Sequence, residues 1–420
     1  MRRPLPPLLL LLAAAFLGAC SGTQEPSLPT LLLVGVERAG QAQLALLEDL
    51  RDTDAPPTAP RLQLVEGSAR DLRAPAVSLD LTDRNVSRDT AWVLTRSVSG
   101  SGAAAQVTSY LYRFAVSQID PRAPSAFRQL EEVLLVDGSD PGAGVLGAVG
   151  REGGGLICPR EVRSSRTGAY LLVLDDPRAC VPDTAGFAAV WLVRTSDWTA
   201  RQLEPGNDVL AVPPHTDQAP TAEAERGYFL VGAGSESQVY AVDFEEERAD
   251  PLTGPLLPAD RDLVVDLAAN GSLLVALTED GLAWLDLAGV EQTGARTRSL
   301  DAPRRVVADQ FGVLRQLIVW DDLLVGLHDD VEDEVVPGSD RDTYRFTAAA
   351  GVIDAERSWG YLVGQGEALI VDLLTSLGEA GSLRDNVARL SVPELELPSA
   401  GGRLLSVISW VRSAEPPPAP

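Results

Sequence analysis

Few side chains in this chain have both the type and the spacing that chemistry needs. Three cysteines and two histidines occur in 420 residues. Cys158 and Cys180 lie well inside the chain, with no Cys-x-x-Cys and no zinc-ligand spacing around them. In an exported protein such a pair reads as one disulfide; two reduced, buried thiols are the other reading. Closing a loop of about 20 residues stabilises by roughly 3 kcal/mol in the chain-entropy picture. His215 follows Pro213-Pro214, and His328 ends an apolar run. A hydrolase built on either would want a nucleophile elbow, and neither Gly-x-Ser-x-Gly nor His-Glu-x-x-His is present. The run from Gly142 to Gly147 matches Gly-x-Gly-x-x-Gly, but residues 137–141 part it from the preceding strand and glycines 153–155 follow soon after, so it reads as a loop. The densest charge cluster is Asp329, Asp330, Glu332, Asp333 and Glu334. Crowded carboxylates suit a hard cation such as Ca²⁺, but the EF-hand spacing is missing and a solvated loop tip is the plainer reading. No residue is assigned a catalytic role, and no cofactor is expected.

The third cysteine sits in a different setting. Arg2 and Arg3 precede an apolar run at residues 8–17 that is too short to span a bilayer core, which needs about 20 residues. The run ends Leu17-Gly18-Ala19-Cys20, which resembles the lipobox of bacterial lipoproteins. That resemblance implies cleavage before Cys20 and lipidation of its thiol and new amine. Three acyl chains make a firm anchor, since each buried CH₂ contributes about 0.8 kcal/mol. Residues 1–19 are then a signal peptide, and residues 20–29, with Ser21-Gly22-Thr23, a polar tether. Ser rather than Asp after the lipidated Cys resembles the outer-membrane sorting default. The expected address is therefore the cell envelope, on a membrane facing the periplasm or the surface.

Composition narrows the partners. Hydrophobic residues make up 45%, enough for a folded core. All 35 basic residues are Arg, against 60 acidic ones, for a formal charge of −25. Such a surface repels nucleic acid and anionic headgroups, and is compatible with a divalent cation or a basic protein partner.

The body of the chain is a series of short apolar runs. The clearest pair is 273–278 and 282–287, joined by Glu279-Asp280-Gly281, a strong hairpin signal. Similar pairs begin near residues 31, 92, 170, 228, 273, 323 and 361. Residues 110, 112, 114 and 116 alternate as one apolar face. One or two further strand candidates, such as 263–267 and 304–309, fall between consecutive pairs. The stretches nearest to helical are 42–50 and 372–381, both short. Four short strands repeated at roughly 40–50 residues predict an all-β fold, a β-propeller over residues 30–413. Seven blades fit best, with six or eight also compatible. The apolar run 407–411 is placed to pair with the N-terminal strand and close the ring, leaving the Pro-rich 414–420 as a disordered tail. Six tryptophans, Trp92, Trp191, Trp284, Trp320, Trp359 and Trp410, recur about once per unit and are expected to pack between blades.

At this level the chain resembles bacterial propeller lipoproteins. The WD dipeptide of WD-repeat propellers occurs as Trp320-Asp321, without the Gly-His pair, and the run from Ala283 to Gly289 resembles one quinoprotein-type blade. The resemblance implies a lipid-anchored, non-enzymatic platform that binds another envelope protein. An envelope enzyme or carbohydrate-binding propeller working at the central channel is the alternative, and the channel lining discriminates the two.

Overall fold

In the computed structural model the described residues lie within 30–411, apart from connecting segments of which the longest are 50–61, 116–129, 253–263, 329–342 and 393–406. They form seven antiparallel sheets. Blade 1 contains β1 (Thr30–Arg38), β2 (Gln41–Asp49) and β3 (Leu62–Leu64), with a short β4 (Arg70–Asp71) also on β2. Blade 2 is β5 (Ala76–Leu81), β6 (Thr90–Ser99), β7 (Gln106–Ala115) and β8 (Glu131–Val136). Blade 3 is β9 (Pro159–Ser164), β10 (Tyr170–Asp175), β11 (Ala189–Arg194) and β12 (Thr199–Gln202). Blade 4 is β13 (His215–Thr216), β14 (Arg226–Ala233), β15 (Glu236–Asp243) and β16 (Arg248–Pro251). Blade 5 is β17 (Val264–Asn270), β18 (Leu273–Thr278), β19 (Gly281–Asp286) and β20 (Gln292–Thr293). Blade 6 is β21 (Arg305–Ala308), β22 (Leu317–Trp320), β23 (Leu324–His328) and β24 (Thr343–Arg345). Blade 7 is β25 (Ala350–Asp354), β26 (Trp359–Val363), β27 (Glu367–Asp372) and β28 (Val387–Ser391).

The last strand, β29 (Val407–Val411), closes the ring. It pairs antiparallel with β1, Thr30 opposite Val411 and Val34 opposite Val407. Blade 1 is thus ordered β29-β1-β2-β3, its innermost strand coming from the far end of the chain. The innermost strands β5, β9, β13, β17, β21, β25 and β29 each contact the next, and β29 returns to β5. This is a seven-bladed β-propeller.

The reason the chain must close lies in strand geometry. Successive side chains of a strand point to opposite faces. In β1, Leu31 and Leu33 enter the core shared with blade 2, while Leu32, Val34 and Val36 enter the core shared with blade 7. A strand buried on both faces reads as a continuous apolar run, which is what residues 31–34 are. The described apolar residues form a core at each junction between consecutive blades, from blades 1 and 2 round to blades 7 and 1. Trp92 and Trp191 fill the junction of blades 2 and 3, Trp320 that of blades 6 and 7, and Trp359 that of blades 7 and 1. These four tryptophans therefore pack between blades, as their spacing implied.

The hairpin expected to begin near residue 31 is β1 with β2: β2 pairs with β1 along its whole length and buries Leu44 to Leu47 against both neighbouring blades. One local expectation changes. The pair starting near 323 is the outer half of its blade, because β23 also pairs with β22, and Leu317 to Trp320 are wholly buried. The Gly-rich run is a loop, as expected. Gly144 has φ +86, and a Cβ there would come within 2.6 Å of the Leu135 carbonyl oxygen. Leu146, with no exposed surface, pins that loop to the core of blades 2 and 3.

Candidate functional site

The ring brings the first strand of every blade to the axis, so the channel is where polar residues from distant parts of the sequence meet. Asp80 is on β5, Glu161 and Arg163 on β9, His215 on β13, Asp266 on β17 and Arg305 on β21. Arg305 of blade 6 lies 3.5 Å from Asp266 of blade 5 and 3.6 Å from Glu161 of blade 3, and Arg163 lies 3.8 Å from Glu161. Two guanidinium groups and three carboxylates are thus gathered on the inner strands.

Each of these groups is tied to another. The Ser164 N–H and hydroxyl donate to Asp80 Oδ2 at 2.5 and 2.7 Å, which joins blade 2 to blade 3. The Val162 N–H donates to Ser78 Oγ across the same junction. Thr216 Oγ1 donates to the Ser164 carbonyl oxygen at 2.7 Å, joining blades 3 and 4. The imidazole of His215 donates from Nε2 to the Leu267 carbonyl, joining blades 4 and 5. The Val306 N–H donates to Asp266 Oδ2 at 3.0 Å, joining blades 5 and 6. Away from the axis, Tyr361 Oη donates to Asp49 Oδ2 at 2.8 Å and joins blades 7 and 1. Burial raises the Asp80 and Asp266 carboxyls above their ordinary value, opposed by Arg163 and Arg305 respectively. Burial, with Arg163 adding to it, lowers His215 to about 3, so the ring is neutral at physiological pH. Asp266, then Glu161, holds the Arg305 guanidinium more firmly charged against the cost of its own burial. Chemically the set is a clasp: its acids accept backbone N–H groups and its cations neutralise the acids.

Of these residues only His215 was singled out from the sequence, as a loop residue after Pro213-Pro214; it stands on the short strand β13. The signal was present as polar residues two apart on short segments before each apolar hairpin, such as Glu161 and Arg163. The segments 263–267 and 304–309 were legible as strands, and β17 and β21 bear that out, but nothing local says that their polar residues face an axis.

Cys158 and Cys180 form a disulfide, with Cα atoms 6.1 Å apart. It ties the start of β9 to the connection that follows β10. Asp175, at the end of β10, accepts the Cys158 N–H on Oδ1 at 2.6 Å and the Arg151 guanidinium on Oδ2 at 2.8 Å. Arg151 also donates to the Phe187 carbonyl oxygen. Arg96, from the neighbouring blade, donates to Cys158 Sγ at 3.3 Å and to the Pro159 and Ala179 carbonyl oxygens. The bridge is therefore set in a web that orders the connections 137–158 and 176–188.

Cys20 and the acidic residues Asp329, Asp330, Glu332, Asp333 and Glu334 lie outside the described residues. Among the described residues no cluster of His, Cys, Asp and Glu is arranged to hold a metal ion.

No protein-family model and no curated protein matches the chain. Among solved structures, the chain is similar to hydrazine synthase of Kuenenia stuttgartiensis, with 12% identity, 81% of this chain and 96% of that chain covered, and a TM-score of 0.48. It is similar to a functionally unknown protein of Desulfotomaculum acetoxidans DSM 771, with 8% identity, 87% and 100% covered, and a TM-score of 0.48. A third likeness is to the Dos1 propeller, with 12% identity, 76% and 72% covered, and a TM-score of 0.42.

Proposed function

We propose that this protein is a lipid-anchored propeller of the cell envelope that acts as a non-enzymatic platform for another envelope protein. The observation that carries the reading is the channel. An enzyme or sugar-binding propeller would leave convergent polar groups free to meet a substrate. Here polar groups do converge, but Arg305 is engaged by Glu161 and Asp266, and Asp80 and His215 are bound to backbone of the next blade. The ring closure adds an orientation. Thr30 pairs with Val411, the end of the inner strand β29, so a tether from Cys20 emerges at the end of the ring where inner strands finish. In this reading the opposite face, carrying the β6–β7 turn, the disulfide and residues 137–158, is the one proposed to look away from the membrane.

The anchor is tested by Cys20→Ala, which is expected to release the protein from the membrane fraction or leave it unprocessed. Wild-type fractionation and processed mass in the variant would remove the anchor. The platform is tested by detergent solubilisation and quantitative co-purification. A partner recovered at constant stoichiometry supports it, and turnover of a glycan or peptide substrate by the purified ring would replace it with the enzyme reading.

A further inference from the structure

Four large apolar side chains are exposed among the described residues: Val98 at 41%, Val149 at 51%, Phe187 at 61% and Leu323 at 46%. All four sit at the same end of the ring. Val98 is at the end of β6, Val149 is in the β8–β9 connection, Phe187 is in the β10–β11 connection, and Leu323 is in the β22–β23 turn. Each is at the end where the inner strands begin, the end away from Thr30 and Val411. A random scatter of exposed apolar residues would need no explanation; a one-sided set does.

Three of the four belong to one built unit. Val98 follows Arg96 by two residues, so the two share a face of β6, and Arg96 grips the disulfide and the Ala179 carbonyl oxygen. Val149 precedes Arg151 by two residues, and Arg151 holds the Phe187 carbonyl oxygen while pairing with buried Asp175. The bridge Cys158–Cys180 joins the two connections that carry Val149 and Phe187. Phe187 is thus held outward by a covalent link and a buried ion pair instead of lying back on the core.

Each of the unit's cations is paired: Arg96 with Cys158 Sγ and two carbonyls, Arg151 with Asp175, and Arg160 with Asp176, while Arg178, exposed at 46%, pairs with Asp176 at 2.9 Å. Its exposed carboxylates, Asp140, Glu152 and Asp183, face solvent. The chain as a whole carries a formal charge of −25. A face that exposes apolar side chains and carboxylates at the same end of an acidic ring repels a second copy of itself and attracts a cationic chain.

We infer that the face built from Val98, Val149 and Phe187 docks a basic protein segment, one that places an apolar side chain against Phe187 and Arg or Lys residues against Asp140, Glu152 and Asp183. This rests on the platform reading and names its surface and partner class. The probe is a fluorescent peptide alternating Arg with Leu and Phe, measured by anisotropy on the full-length purified protein. A matched peptide with Glu in place of Arg is the control. The Arg peptide is expected to bind with an affinity that falls as salt rises, and the Glu peptide not to bind. Phe187→Ser, at an exposed position that leaves the melting temperature unchanged, is expected to weaken binding about tenfold. Equal binding of both peptides, or wild-type binding by Phe187→Ser, overturns the inference. A photo-crosslinking residue placed in cells at Val149 or Phe187, and separately at Glu245 on the opposite face, separates surface from function. Adducts with a basic protein from 149 and 187 support the inference. Adducts from 245 alone overturn the surface and leave the platform standing. Adducts with a second copy overturn the basic partner, and no discrete adduct from either face overturns the platform itself.

Discussion

Arg305 Nη2 lies 3.6 Å from Glu161 Oε1, although 143 residues and two whole blades separate them in the chain. Arg305 belongs to blade 6 and Glu161 to blade 3, so the pair spans the central channel from one side to the other. A second oxygen partner, Asp266 Oδ1 at 3.5 Å, holds the same guanidinium from blade 5. The charges of three blades thereby meet across the channel.

Removing that cation strips buried Asp266 of its Arg305 partner and leaves Glu161 to Arg163. Arg305→Ala is expected to destabilise the ring by less than the roughly 3–5 kcal/mol of a fully buried pair, because the Arg305 side chain is 36% exposed. The triple variant Arg305→Ala, Glu161→Ala, Asp266→Ala is expected to recover part of the loss. Urea denaturation of the three proteins checks this; a single variant as stable as wild type would mean the channel is wet enough to solvate the acids.

Ring closure predicts strong dependence on the C-terminal strand. A chain ending at residue 406 lacks β29, and the outer strands of blade 1 then have no innermost partner. That truncation is expected to be expanded or aggregated by size-exclusion chromatography. A milder test is Tyr361→Phe, which deletes the hydrogen bond to buried Asp49 across blades 7 and 1 and is expected to cost about 1–3 kcal/mol.

The disulfide is expected to be intact in protein taken from the envelope, seen as a linked peptide by mass spectrometry without reduction. Cys158→Ser with Cys180→Ser is expected to lower stability by about 2–4 kcal/mol and to speed proteolysis of residues 176–188. Free thiols at both positions in that material would contradict the geometry, in which the Cα atoms are 6.1 Å apart.

Asp175 gives a pH signature. Burial raises its carboxyl from 3.8 to about 6, against the pull of Arg151 and the N–H of Cys158. Between those values the folded protein keeps a proton that the unfolded chain has released. The group's stabilising contribution is therefore complete below about pH 4 and is lost as the pH rises through about 6. Asp175→Asn does not titrate there. The stability advantage of wild type over this variant, from thermal melts, is expected to shrink between about pH 4 and pH 7. An advantage that grows with pH would place the folded carboxyl below its ordinary value.

The sequence by itself determined the repeating strands, the all-β class and the closing strand. Runs such as Leu31 to Val34 and Leu171 to Leu174 are apolar at every position because both faces of each strand meet another blade, and that pattern is local. The turn Glu279-Asp280-Gly281 marked its hairpin by backbone freedom alone, and Cys158 with Cys180 could be paired by counting. The partners of the polar residues were decided only by the tertiary structure. Glu161, Asp266 and Arg305 stand on strands of three different blades, and they meet only because the blades close into a ring. The same closure sends Val98, Val149, Phe187 and Leu323 to one face. Along the chain they are four unrelated residues, one at a strand end and three in connections; the antiparallel course of each blade returns every second-to-third-strand turn, and every inner-strand start, to the same end of the axis.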